Sequence, residues 1–209
     1  MPITLDKVIQ TEPLPIQLVT AGTSVKSSVI GVPGSLVGRL FYDVAIVGST
    51  NATPPSIQLE VSQQASGNAT WVKGLQRMGM QLSGVSSTTA PDINAADVLF
   101  NVGTNLWAAA GQQCTRYLFL YDTVLISNSE WVQPISVTGG GNTTTVLDPV
   151  TNAHLQVNTT IWQAARYCFC FDLWSIKRIR VTVDNSATKS VAPADHVIRV
   201  ALTTVDAVN

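Results

Sequence analysis

Two histidines, three cysteines and thirteen acidic residues make up the chain's stock of groups for acid–base, nucleophilic or metal chemistry. A hydrolytic triad needs a nucleophile held against an imidazole, but neither His154 nor His196 has a nucleophile context, and no Gly-x-Ser-x-Gly elbow occurs. His196 follows Asp195 at the start of the last strand, where a capping or surface role is expected. Cys168 and Cys170 stand two apart in an apparent strand, so both point to one face. Zinc would need more ligands than two such cysteines and two scattered histidines supply, and the thiols read as reduced core fillers. Cys114 reads as structural, because Arg116 nearby comes without an imidazole partner. The carboxylates Asp43, Glu60, Asp122, Glu130 and Asp172 are spread singly, with no Asp-x-Asp-x-Asp-Gly calcium loop. Folding could still bring two of them together as a glycosidase pair. The glycines of Thr138–Thr145 read as a flexible loop and not a phosphate cradle, since no Lys-Ser or Lys-Thr follows them. No catalytic residue, cofactor or metal is expected.

Binding chemistry is better represented. Arg178, Arg180 and Arg199 read as a cross-strand basic stripe, which either blunts edge pairing or docks on an acidic partner or phosphates. Trp71, Trp107, Trp131, Trp162 and Trp174 could line a sugar-stacking platform, or fill cores and subunit interfaces.

The elements that must position these groups are strands. Alternation of period two recurs throughout, and helical periodicity is scarce. Leu36, Leu40, Tyr42, Val44 and Ile46 share one face, with Arg39, Phe41, Asp43 and Ala45 opposite. Ile57, Leu59 and Val61 turn inward, and Gln58, Glu60 and Ser62 outward. Asn51–Pro55 between them predicts a hairpin, with Ser66–Thr70 as the next turn. Residues 177–183 and 197–205 repeat the alternation and predict a C-terminal hairpin with Arg178, Arg180 and Arg199 on its wet face. Pro91–Val98 predicts a short helix with Asp92 as its N-cap. The expected architecture is all-β, an antiparallel β-sandwich of jelly-roll type with little helix. Residues 1–23 form an extended arm, and residues 24–209 a single sandwich domain with a long insertion over about 75–160.

Composition narrows the setting. Charged residues are 12% of the 209, against about 25% in ordinary globular proteins. The hydrophobic fraction is 45% and mean hydropathy +0.24, yet no apolar run approaches the ~18 residues of a membrane helix. A net charge of −1 and a pI near 6.0 lack the basic excess of a nucleic-acid binder and give little repulsion between copies. The N-terminal residues carry no secretory leader pattern, and the four Asn-x-Ser/Thr triplets read as chance.

One internal echo points to assembly. Arg116-Tyr117-Leu118-Phe119-Leu120-Tyr121-Asp122 matches Arg166-Tyr167-Cys168-Phe169-Cys170-Phe171-Asp172 at equal offsets. Both faces of such strands are apolar, so each needs a cover from another sheet or another subunit. Tyr117, Phe119, Tyr121, Tyr167, Phe169 and Phe171, with Arg178, Arg180 and Arg199, are therefore the interface candidates.

The run Ser66-Gly67-Asn68-Ala69-Thr70-Trp71 after an alternating strand resembles a turn of the β-sandwich virion proteins of tailed bacteriophages. Arg178–Val183 followed by Ile198–Leu202 resembles their closing strands. Head decoration (cement) and minor capsid proteins are nearest in size and composition, and the resemblance spans about 24–75 and 160–206. It implies a non-enzymatic protein made in the host cytoplasm and carried in the virion. It implies as partners the major capsid protein or other virion subunits, and a homo-oligomer, a trimer being favoured. It implies no membrane, no specific nucleic acid and no catalytic residues. A major jelly-roll capsid subunit and a carbohydrate- or receptor-binding tail module are the alternatives.

Overall fold

The computed structural model describes residues 4–47, 55–68, 70–76, 86–87, 92–97, 99–101, 115–117, 120–127, 129–138, 143–155, 161–186 and 195–208. These residues contain strands and turns and no helix. One sheet runs in the order β1 (Thr4–Val19), β16 (Asp195–Val208), β4 (Ser35–Val47), β14 (Ile161–Asp172), β10 (Leu120–Ile126) and β11 (Glu130–Val132). Two short strands join it, β7 (Ser86–Ser87) on β14 and β9 (Thr115–Tyr117) on β10, making eight. The second sheet has five strands: β2 (Ser24–Lys26), β15 (Arg178–Asp184), β5 (Ser56–Ser62) and β6 (Val72–Gln76), with β3 (Ile30–Gly31) also on β15. A small third sheet is made by β12 (Pro134–Thr138), β13 (Thr143–Val146) and β8 (Leu99–Asn101). Every pairing is antiparallel. The chain is thus an all-β antiparallel sandwich.

Alternation dictates which side of each strand meets the core. Leu40, Tyr42 and Val44 of β4, Ala165 and Tyr167 of β14, and Ile198, Val200 and Leu202 of β16 face the second sheet. From there Ile57 of β5 and Ile179, Val181 and Val183 of β15 pack back against them. Each buried Leu, Ile or Val among them contributes about 1.5–3 kcal/mol by leaving water. The Tyr42 and Tyr167 rings stack with centroids 6.1 Å apart, and the buried Tyr42 hydroxyl donates to the Pro55 carbonyl at 3.3 Å. At one point a ring replaces a side chain: Phe171 lies over Gly38, its register partner, where a Cβ would meet the ring at 2.5 Å.

The faces follow the alternation, but the partners do not. The expected C-terminal hairpin does not form: β15 pairs with β5, β2 and β3, and β16 pairs with β1 and β4 in the other sheet. The hairpin expected across Asn51–Pro55 fails in the same way, with β4 in the large sheet and β5 in the small one. The chain crosses between the sheets at these connections, as in a jelly roll, because each apolar face closes the core by meeting the opposite sheet. Residues 4–19 form β1, which pairs with β16 from Thr4 to Val19. Within 75–160, β10 and β11 belong to the large sheet, and only β8, β12 and β13 form a sheet of their own. The short helix is replaced by a turn, in which the Asn94 N–H donates to the Asp97 carboxylate at 2.7 Å and Ala96 has φ 73°. Its ends, Pro91 and Val98, lie outside the described residues, as do Gly139–Asn142 of the glycine tract, whose flanks Thr138 and Thr143 are paired. The echo is also unequal. Residues 161–172 run as one strand, whereas 115–117 and 120–126 pair with each other.

Candidate functional site: the outer faces of the two sheets

The outer face of the large sheet is built by register. Opposite residues on β14, β4 and β16 form rows: Ala164, Ala45 and Val197, then Arg166, Asp43 and Arg199, then Cys168, Phe41 and Ala201. In the first region Leu125, Trp131, Ala45, Ala164 and Val197 are buried, with Ile16 and Trp162 packed against them. The middle row is ionic. Asp43, 0% exposed, accepts Arg166 Nε on Oδ1 at 2.6 Å and Arg166 Nη2 on Oδ2 at 3.2 Å. Arg199 donates to the same Oδ2 from Nε at 2.9 Å and lies 2.8 Å away through Nη2. Glu12 of β1 adds a looser partner for Arg199 at 3.9 Å. Burial works against the Arg166 charge, and Asp43 outweighs it, so the guanidinium is held protonated above its ordinary range. Beyond this row the face opens to solvent: Phe41 is half-buried under Arg166 (5.8 Å to the ring), Val37 is 50% exposed and Cys170 is exposed.

The outer face of the small sheet carries a second carboxylate among cations. Glu60, 2% exposed, pairs with Arg180 through its Nε, with Lys26 at 3.4 Å and with Lys73 at 3.7 Å. The hydrogen bond from Arg180 lowers the Glu60 pKa most; burial opposes it, and the Arg180 and Lys26 charges reinforce it. The Trp71 ring lies against both arginines, 4.1 Å from the Arg180 guanidinium and 5.8 Å from that of Arg178. Arg178 clamps the turn before β6, donating to the carbonyls of Gln64 at 2.6 Å, Ser66 at 3.1 Å and Gly67 at 3.2 Å.

A third cluster ties β11 to the segment after β13. Glu130 accepts the N–H groups of Thr151 at 2.5 Å and Asn152 at 3.2 Å, and its Oε2 lies 3.0 Å from His154 Nε2. Burial pushes the Glu130 carboxyl up, but these hydrogen bonds together hold it below the ordinary glutamate range. One cavity of about 310 Å³ opens between β1, β16 and the β3 loop, lined by Ile9, Thr11, Ile30, Val32, Leu202 and Thr204 among others. Among the described residues that line it, none is ionisable.

These positions revise the expected site. Tyr167 is buried in the sandwich core, with Phe169 and Phe171 packed against that core, so the β14 rings are covered by the chain's own second sheet. Tyr117 and Tyr121 lie in β9 and β10 by backbone, while Phe119 lies outside the described residues. The basic stripe does not exist. Arg178 and Arg180 are on the outside of one sheet, Arg199 is on the outside of the other, and Arg180 and Arg199 are both paired to carboxylates. His196 is fully buried instead of at the surface. Cys168 is buried as expected, and burial pushes its thiol pKa up, but Cys170 is exposed. The described tryptophans are dispersed: Trp131 and Trp162 on the large sheet, Trp71 over the small one and Trp174, 70% exposed, in the β14–β15 turn, while Trp107 lies outside the described residues. Asp172 accepts the Trp174 N–H at 2.8 Å. Asp43 and Glu60 as buried ionic centres were missed. Their only trace in the sequence is a carboxylate placed opposite an arginine once the register is known.

No protein-family model matches the chain, and no curated protein matches it in sequence. Among solved structures it is similar to the SPBc2 prophage-derived protein YomS, at 10% identity and a TM-score of 0.31, covering 98% of this chain and 100% of that one. It is also similar to the protein in the infectious bursal disease virus VP2 subviral particle, at 7% identity and a TM-score of 0.27, covering 97% of this chain and 42% of that one. A third is the protein of an archaeal virus turret with a triple jelly roll, at 8% identity and a TM-score of 0.15, covering 99% of this chain and 60% of that one.

Proposed function

We propose that the protein is a non-enzymatic structural subunit of a virion, joined to its neighbours through the outer face of the large sheet. The observation that carries this reading is that the outer face of the large sheet, past its ionic Arg166–Asp43–Arg199 row, leaves apolar groups in solvent. The inner face is closed by the second sheet, and the outer face begins with the buried Ala45–Ala164–Val197 row. That outer face ends on half-buried Phe41 and on exposed Val37 and Cys170, with no described helix over it. Apolar groups left in solvent together on one sheet face mark a place where a partner can cover them. The cover we assign is another copy of the chain, in a trimer attached to a phage head as a decoration (cement) protein.

Light scattering on the purified protein tests this reading. A discrete oligomer is expected, and Val37→Lys, placed at an exposed position, shifts it to monomer without lowering the melting temperature. A wild-type monomer at high concentration with no affinity for isolated head shells defeats the proposal. Binding to shells in one fixed ratio to the main capsid protein supports decoration; assembly of closed shells by this chain alone makes it the main shell subunit.

A further inference from the structure

We infer that the outer face of the five-stranded sheet docks a short acidic segment of another protein. Lys26 on β2, Arg178 and Arg180 on β15 and Lys73 on β6 lie on this face around the single carboxylate of Glu60 on β5. Arg180, Lys26 and Lys73 share that one carboxylate, and Arg178 spends its hydrogen bonds on the neutral carbonyls of Gln64, Ser66 and Gly67. Four cations and one carboxylate leave the patch three charges positive in a chain of formal net charge −1, so the remainder of the molecule is four charges negative. At the far end of β15, Asp184 is engaged by the Ser186 N–H at 2.9 Å and its hydroxyl.

The patch is prepared for a ligand. Glu60 and Trp71 hold the Arg180 guanidinium between a carboxylate and an indole face, and Trp71 also backs Arg178. Ordering these side chains is therefore done before a partner arrives, which removes part of the entropic cost of binding. The lysine side chains, 48% and 63% exposed, remain reachable.

Dimensions and charge select the partner. Four neighbouring strands at ~4.8 Å spacing make the patch roughly 14 Å wide, the reach of about five residues of extended chain, whose alternate side chains point the same way. Two or three carboxylates at alternate positions would meet the lysines and arginines. A duplex carries one charge per ~1.7 Å of its axis and extends well past such a patch, onto a surface that is net negative. An acidic peptide segment fits both the size and the confinement of the charge. This assignment concerns the sheet opposite the face proposed for subunit packing and does not depend on it.

Fluorescence anisotropy on the full chain tests it, with a labelled twelve-residue peptide of alternating Glu and Ala, its Gln counterpart and a twelve-nucleotide oligothymidylate as probes. The Glu peptide binds, weakens as salt rises and perturbs Trp71 fluorescence, while the Gln peptide does not bind. Lys26→Glu/Lys73→Glu lowers affinity at least about tenfold, whereas Lys7→Glu/Lys189→Glu, with the same change in net charge, stays within about twofold. Equal losses in the two double variants overturn the proposal, as does absence of binding by the Glu peptide. Tighter binding of the oligonucleotide than of the peptide overturns the choice of a protein partner.

Discussion

Replacing Asp43 by Asn leaves the shape of the large sheet unchanged and removes the one charge that holds Arg166 and Arg199 together. The carboxylate is fully buried and accepts from both guanidiniums at 2.6–3.2 Å. Removing one partner of a buried ion pair costs about 3–5 kcal/mol, because the remaining charge stays desolvated. Here the arginine side chains keep 18% and 22% exposure, so water takes up part of the loss, and the low end, about 3 kcal/mol, applies. With a urea m-value of about 2–3 kcal/mol per molar, the midpoint falls by roughly 1–1.5 M. Equilibrium urea denaturation followed by tryptophan fluorescence reads this directly. The combined variant Asp43→Leu/Arg166→Met/Arg199→Met recovers most of the loss, since no charge is then left without a partner. A midpoint shift under about 0.3 M for Asp43→Asn, with the slope unchanged, would refute the claim that the cluster is a buried ionic centre.

Three further outcomes follow from the same geometry. Glu60 and Glu130 both titrate below their unfolded values, so the stability they contribute is present above the ordinary glutamate pKa and drains away as pH falls through their folded values; urea midpoints should drop below about pH 4.3, and Glu130→Gln should flatten part of that fall. Gly38→Ala places a methyl 2.5 Å from the Phe171 ring and 3.1 Å from Leu173, a clash expected to cost about 1–3 kcal/mol in thermal denaturation, while Gly38→Ala/Phe171→Leu should regain part of it. Tyr42→Phe leaves the Pro55 carbonyl without its donor and should cost about 1 kcal/mol, with the core otherwise unchanged by near-ultraviolet circular dichroism.

The faces of the strands were legible in the sequence, and their neighbours were not. Ile179, Val181 and Val183 alternate with Arg178, Arg180 and Thr182, and the buried and half-buried positions fall accordingly. Alternation reports only which side is apolar, and it is the same for β15 and β16, so nothing local distinguishes pairing within a sheet from packing across the sandwich. Proximity in sequence favoured hairpins, and closure of the core overrode it. The same gap hid the candidate site. Asp43 and Glu60 read as outward residues, which they are, but burial on the outer face depends on arginines brought in by strands far along the chain. For β14 the rings of the aromatic echo face the inner cover, while its other face carries buried Cys168 and exposed Cys170.

Thiol labelling of Cys170 offers the most direct trial of the subunit-packing face, because this exposed cysteine stands on it beside Val37 and Arg39. In particles, or in concentrated oligomer, Cys170 should resist a maleimide that modifies it quickly in diluted monomer. Equal rates in both states would place the subunit contacts elsewhere and remove the basis for the proposed packing.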